Sequence, residues 1–207
     1  SYVDGALCAC GTGTAYEALT RVRLSGLDRL LITGLGPVGL AAAQLGRAMG
    51  ARPVIGIDPS PARRKLAEDL GLCDYTFPSD LPDQALRSIL DATGGKGCEV
   101  SIDCSGAPSA RHLALKATRQ WGRCVFVGEG NNIDFDVSQL LIHPQITLYG
   151  SWVTSLKHLE DLVEHLARWN LHPDATCTHR FSLNDAAKAY DLADKGQCGK
   201  VCITFDD

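Results

Sequence analysis

From position 30 to about 150 the chain alternates between short, mainly apolar runs and longer segments whose apolar positions recur every three or four residues. The short runs predict strands over 31–33, 53–57, 73–77, 100–104, 124–127 and 146–149. The longer segments predict helices over 38–49, 62–70, 82–92 and 109–119. Strand and helix in strict alternation indicate an α/β fold, a doubly wound parallel sheet with helices on both faces. Ahead of it, 12–24 reads as a helix burying Ala15, Tyr16, Leu19 and Val22. The pattern changes after Ser155. Leu156, Leu159, Leu162, Val163 and Leu166 form one helical face ending near Asn170, and Ser182 with Asp185 resembles a capping box before a helix over 186–193. Val201, Ile203 and Phe205 then alternate with Cys202 and Thr204 as a closing strand. This tail repeats no sheet unit and is expected to pack apart from the sheet.

The most informative joint is the first. The run ending at Thr33 meets Gly34-Leu-Gly36-Pro37-Val38-Gly39 and an Ala-rich helix closed by Gly50. In a strand–turn–helix of this spacing, Gly34 permits the sharp turn, Gly36 leaves room for a pyrophosphate against bare backbone, and Gly39 lets the helix approach the sheet. Pro37 occupies the first helical turn, where its missing N–H costs little and the free amides and dipole favour an anion. The next strand ends at Asp58, about 20 residues on, where a carboxylate would meet the adenosine ribose of a dinucleotide. An acid there repels a 2′-phosphate and favours NAD over NADP. Asp58 also suits a capping role before Pro59, and Arg63, Arg64 and Lys65 form a basic cluster that is either a phosphate receiver or a solvated helix face. Cys104-Ser105-Gly106 and Val127-Gly128-Glu129 fall at further strand ends, where such sheets bind ligands or simply turn.

Composition narrows the partners. A 207-residue chain with 45% hydrophobic and 21% charged residues is ordinary for a globular protein, and a net charge of -4 gives no support for nucleic acid or an anionic membrane surface. No apolar run reaches spanning length. Nine scattered cysteines, without Cys-x-x-Cys pairs and with Cys73, Cys104, Cys124 and Cys202 inside predicted strands, fit reduced thiols in a cytoplasmic setting better than a disulfide framework. The chain opens at Ser1 directly into small and apolar residues, as a piece of a longer protein would.

Other constellations carry less. His158, His165, His172 and His179 recur every seven residues, but that spacing is about 10 Å on a helix, too far for one ion, so they read as surface residues. His143 reads as a loop residue before Pro144, and no Gly-x-Ser-x-Gly elbow occurs. Cys8-Ala9-Cys10 cannot complete a zinc site by itself.

Taken in order, Cys10-Gly-Thr-Gly-Thr14-Ala-Tyr16 before a helix, Gly34-Leu-Gly-Pro-Val-Gly39, Asp58, Val127-Gly128 and Gly199-Lys200-Val201 resemble the zinc-containing alcohol dehydrogenases of the medium-chain dehydrogenase/reductase family. The resemblance implies that Cys10 is a catalytic zinc ligand and that Thr14 contacts the nicotinamide. It implies that Val38 packs on that ring, that Arg63 lies near the adenosine ribose, and that main chain at Val127 and at Trp152 and Val153 meets the carboxamide. Lys200 would approach the pyrophosphate; Ser105 is a further cofactor-site candidate by its place at a strand's carboxyl end. The implied division is 1–13 as the end of a truncated catalytic domain, 14–151 as the Rossmann domain and 152–207 as a segment returning to the catalytic domain. The implied activity is hydride transfer from an alcohol or polyol to NAD with zinc, in a homodimer or homotetramer paired near 146–150, with the remaining zinc ligands upstream. Two other readings stand: a zinc-free NADPH-dependent quinone or enoyl reductase, and a non-catalytic nucleotide-sensing module.

Overall fold

The computed structural model describes residues 1–196 and 198–205; Gln197 and the last two residues of the C-terminal segment lie outside that description. The chain begins with α1 (Tyr2–Leu7), capped by a reciprocal Ser1–Asp4 box. A π-helical turn (Cys8–Thr12) leads into α2 (Gly13–Arg21). The expected single helix over 12–24 is thus one stretch of a longer helical run, and it stops early because Arg23 takes a left-handed conformation at φ 53°. Its expected buried side is correct: Ala15, Tyr16, Leu19 and Val22 are all buried.

The sheet follows: β1 (Leu30–Thr33), α3 (Pro37–Ala48), β2 (Val54–Ile57), α4 (Pro61–Asp69), β3 (Tyr75–Phe77), α5 (Pro82–Ala92), β4 (Cys98–Asp103), α6 (Pro108–Ala117), β5 (Thr118–Phe126) and β6 (Thr147–Gly150). All neighbours pair in parallel in the order β3-β2-β1-β4-β5-β6, the doubly wound arrangement. Side-chain alternation along β1 explains the layering. Leu30 and Ile32 join a core with α2 and α3, whereas Leu31 points to the other face and packs with Ala85 and Ile89 of α5 and Leu113 and Ala117 of α6. Cys73 and Cys104 lie just outside β3 and β4, and β5 starts well before its expected apolar run, because Thr118 already pairs with Cys98 across a register shift.

The tail comprises α7 (Leu156–Trp169), β7 (Cys177–Phe181), α8 (Ala186–Asp194) and β8 (Lys200–Ile203). It does not pack wholly apart. Leu162 and Leu166 of α7 enter the same core as α2 and α3, although Leu156 and Val163, expected on that face, are exposed. β7 and β8 make a separate two-stranded sheet. The Ser182–Asp185 capping box does not form; the Ser182 hydroxyl donates to the Asp185 carboxylate instead. All nine cysteines are free thiols, and among the described residues no helix is long and apolar enough to cross a membrane.

Candidate cofactor site

The carboxyl ends of β1, β2 and β4 open onto a cleft of about 660 Å³ whose wall includes Gly34, Gly36, Pro37, Asp58, Arg63 and Ser105. This is the switch point, where the strand order reverses beside β1. The three glycines differ in their reasons. Gly34 has φ +91° and lies so close to the β4 loop that a Cβ would sit 2.8 Å from Ser105 Cβ. At Gly39 a Cβ would meet the Gly34 carbonyl oxygen at 1.8 Å. Gly36 is open: nothing lies nearer its added Cβ than Arg63 Nη1 at 3.8 Å. It is also the N-cap of α3, with Pro37 next and no side chain capping the helix, so the dipole and the first amides face the cleft.

Asp58 ends β2 and is 2% exposed. Its Oδ2 accepts from the Leu35 N–H at 2.7 Å and its Oδ1 from the Ser60 N–H at 2.8 Å, so it ties the glycine turn to its own turn. Arg63 Nη1 stands 3.8 Å from Asp58 Oδ2, and the buried Nε of Arg63 has no partner. The guanidinium also lies against the turn before β8, where a Cβ on Gly196 would be 3.0 Å from Nη2. Arg64 and Lys65 are engaged, Arg64 with the carbonyls of Asp58 and Pro59 and Lys65 with Asp69.

The floor is built by a residue the motif reading passed over. Asp103, fully buried at the end of β4, accepts from Thr33 Oγ1, Ser105 N, Ser105 Oγ and Gly106 N. Its main-chain oxygen takes the N–H groups of Val127 and Gly128, both at 2.9 Å. Arg111 Nε lies 3.5 Å from Asp103 Oδ2, a charge contact without a hydrogen bond, while its Nη atoms donate to the carbonyls of Gly128, Gly130 and Asn131. No local pattern marks Asp103, because β4 already carries Glu99 and Ser101 among its apolar residues.

A second cluster of expected residues gathers at the end of β5 and β6. Val127 and Gly128 follow β5, Trp152 and Val153 follow β6, and Trp152 Nε1 donates to Glu129 Oε1 at 2.5 Å. Thr14 sits on α2 next to Gly13, which touches Thr154. Val38, in the first turn of α3, packs partly against the core. Lys200 stands apart on β8, paired with Cys177. Cys10 is exposed in the π-helical turn, and among the described residues no three His, Cys, Asp or Glu side chains are grouped to hold a metal.

A family model described as zinc-binding dehydrogenase matches residues 37–168. The chain belongs to that family. It is 44% identical, over its whole length, to 58% of the uncharacterized zinc-type alcohol dehydrogenase-like protein YphC of Escherichia coli. It is 32% identical over 199 residues, 91% of the chain, to 54% of L-threonine 3-dehydrogenase of Pyrococcus horikoshii. An alcohol dehydrogenase structure from Thermotoga maritima superposes with a TM-score of 0.84 at 27% identity, covering 96% of this chain and 56% of that one. The chain therefore spans about half the length of the curated relatives it matches.

The residues present fit a dinucleotide of this family: an uncapped helix start, an open glycine, a buried carboxylate and an unpartnered Arg63 donor share one cleft. They do not fit a complete zinc site, since Cys10 has no companion ligands among them.

Proposed function

We propose that this chain is the NAD-binding half of a zinc-dependent dehydrogenase that takes a hydride from a primary or secondary alcohol or a polyol. The observation that carries the reading is the bare start of α3 at Gly36 facing buried Asp58 across one cleft. The first-turn amides would receive the pyrophosphate. An ionised carboxylate accepts about four hydrogen bonds, and the two N–H groups already on Asp58 leave capacity for ribose hydroxyls. The same charge opposes a 2′-phosphate, and the positive charges of Arg64 and Lys65 are held by other partners.

When bound, NAD supplies the hydride acceptor. The protein's share is orientation: Thr14, Val38, Val127 and the 152–153 main chain would hold the nicotinamide, Lys200 the pyrophosphate and Arg63 the adenosine side. Cys10 would give one thiolate to a catalytic zinc completed from outside these residues. Assembly as a homodimer or homotetramer would use β6, one of the two edge strands of the larger sheet.

Fluorescence titration tests the cofactor. NADH is expected to bind about tenfold or more tighter than NADPH, and Asp58→Ala to weaken NADH by about tenfold. Equal or tighter NADPH binding would overturn the preference.

A further inference from the structure

Residues 151–155 join β6 to α7 and are fixed at both ends with a disfavoured conformation between. At the first end the Ser151 N–H donates to the Phe126 carbonyl, and Trp152 reaches Glu129. In the middle Val153 has φ 52°, a left-handed conformation that a β-branched residue adopts only when its surroundings impose it. At the other end a single oxygen, Glu17 Oε2, gathers three partners. It accepts from the Ser155 N–H at 3.1 Å and from the Ser155 hydroxyl at 3.2 Å, and lies 2.6 Å from His158 Nδ1. Glu17 is largely buried, with 12% of its side chain exposed, and its pKa is lowered: burial raises it, but the Ser155 N–H and His158 outweigh that. Thr154 meanwhile sits against Gly13, so closely that a Cβ there would come within 2.8 Å of Thr154 Cγ2.

The motif reading assigned nothing to Glu17. We propose that Glu17 is a positioning residue for the nicotinamide end of the site: by holding Ser155 and His158 it imposes the left-handed turn at Val153 and so aims the 152–153 main chain. The proposal rests on the dinucleotide reading above. It has a consequence that a general stabilising role lacks, because none of the residues 151–155 lines the cleft formed by Gly36, Asp58 and Arg63. Loss of Glu17 therefore weakens contacts to the nicotinamide and spares those to the adenosine and pyrophosphate.

The experiment compares NADH with ADP-ribose, which lacks the nicotinamide, by calorimetric titration of the full-length protein. Glu17→Ala is expected to weaken NADH about tenfold and leave ADP-ribose unchanged within about twofold, while Glu17→Gln, which keeps an acceptor for Ser155, recovers most of the NADH affinity. Equal losses for both ligands, or no loss for NADH, would overturn the positioning role. Should Glu17→Ala fail to fold, Ser155→Ala carries the test: a smaller loss with the same split supports the role, and a loss without the split ends it. Wild-type protein that bound neither ligand would instead overturn the dinucleotide reading, and the positioning role with it.

Discussion

Gly36 and Gly39 belong to one motif, yet their surroundings assign them different work. A Cβ at Gly39 would collide with the Gly34 carbonyl oxygen, in the backbone of the turn itself, and no side-chain adjustment relieves that. Gly36 has φ -69° and ψ -173°, a conformation any residue adopts, and its Cβ would make only ordinary van der Waals contact, 3.8 Å from Arg63 Nη1. Gly39→Ala is therefore expected to cost about 3 kcal/mol of stability. Gly36→Ala should leave the unfolding free energy measured in urea within about 0.5 kcal/mol of wild type while weakening NADH severalfold, since the added methyl stands where the pyrophosphate would approach. A Gly36→Ala protein that binds NADH normally would remove the pyrophosphate from that place. The spacing was legible in the sequence because the turn is local. Asp103 and Arg111 were not, because their roles depend on α6 and the 128–131 loop meeting over the end of β4, a contact no local pattern encodes.

Between elements, the amino edge of the sheet is tied by one carboxylate. Glu99 on β4 accepts from the Arg29 N–H and guanidinium ahead of β1, and from Arg119 at the start of β5. Burial alone raises its pKa, but Arg29, through guanidinium and N–H, and then Arg119 outweigh that and bring it from 4.5 to about 2. With the folded value below the unfolded one, the contribution is whole above about pH 4.5 and is lost as pH falls toward 2. Urea midpoints measured across that window should fall less steeply in Glu99→Gln than in wild type; parallel curves would show that Glu99 does not drive the acid loss. The same scale explains what else the sequence did and did not disclose. β1 and β2 were legible because parallel strands covered on both faces read as apolar runs. β7 was missed because Cys-Thr-His-Arg-Phe shows no such run in a largely exposed two-stranded sheet. The evenly spaced histidines read as surface residues, whereas His165 accepts or donates at Tyr16 Oη, 2.8 Å away, and stacks on Trp169, and His158 binds Glu17; both help seat α7 on α2.

For the molecule as a whole, the proposed reaction would divide into a cofactor part and a metal part. Most of the features that would bind dinucleotide, from Gly34 to Arg63 and from Asp103 to Val153, follow the carboxyl ends of one sheet, whereas Thr14 lies on α2 and Lys200 on β8. The metal chemistry of the proposed reaction has one candidate ligand here, Cys10, exposed and without grouped companions among the described residues. A catalytic zinc needs about three protein ligands and an open position, so one thiolate cannot hold the ion in a reactive geometry. These 207 residues expressed by themselves are accordingly expected to bind NADH, to retain no stoichiometric zinc by elemental analysis, and to oxidise no alcohol above the uncatalysed background. NADH binding without turnover would place the two functions in separate parts of a longer protein. Robust turnover by this chain alone would overturn that division, and would require that the hydride be drawn by a site that Cys10 does not define.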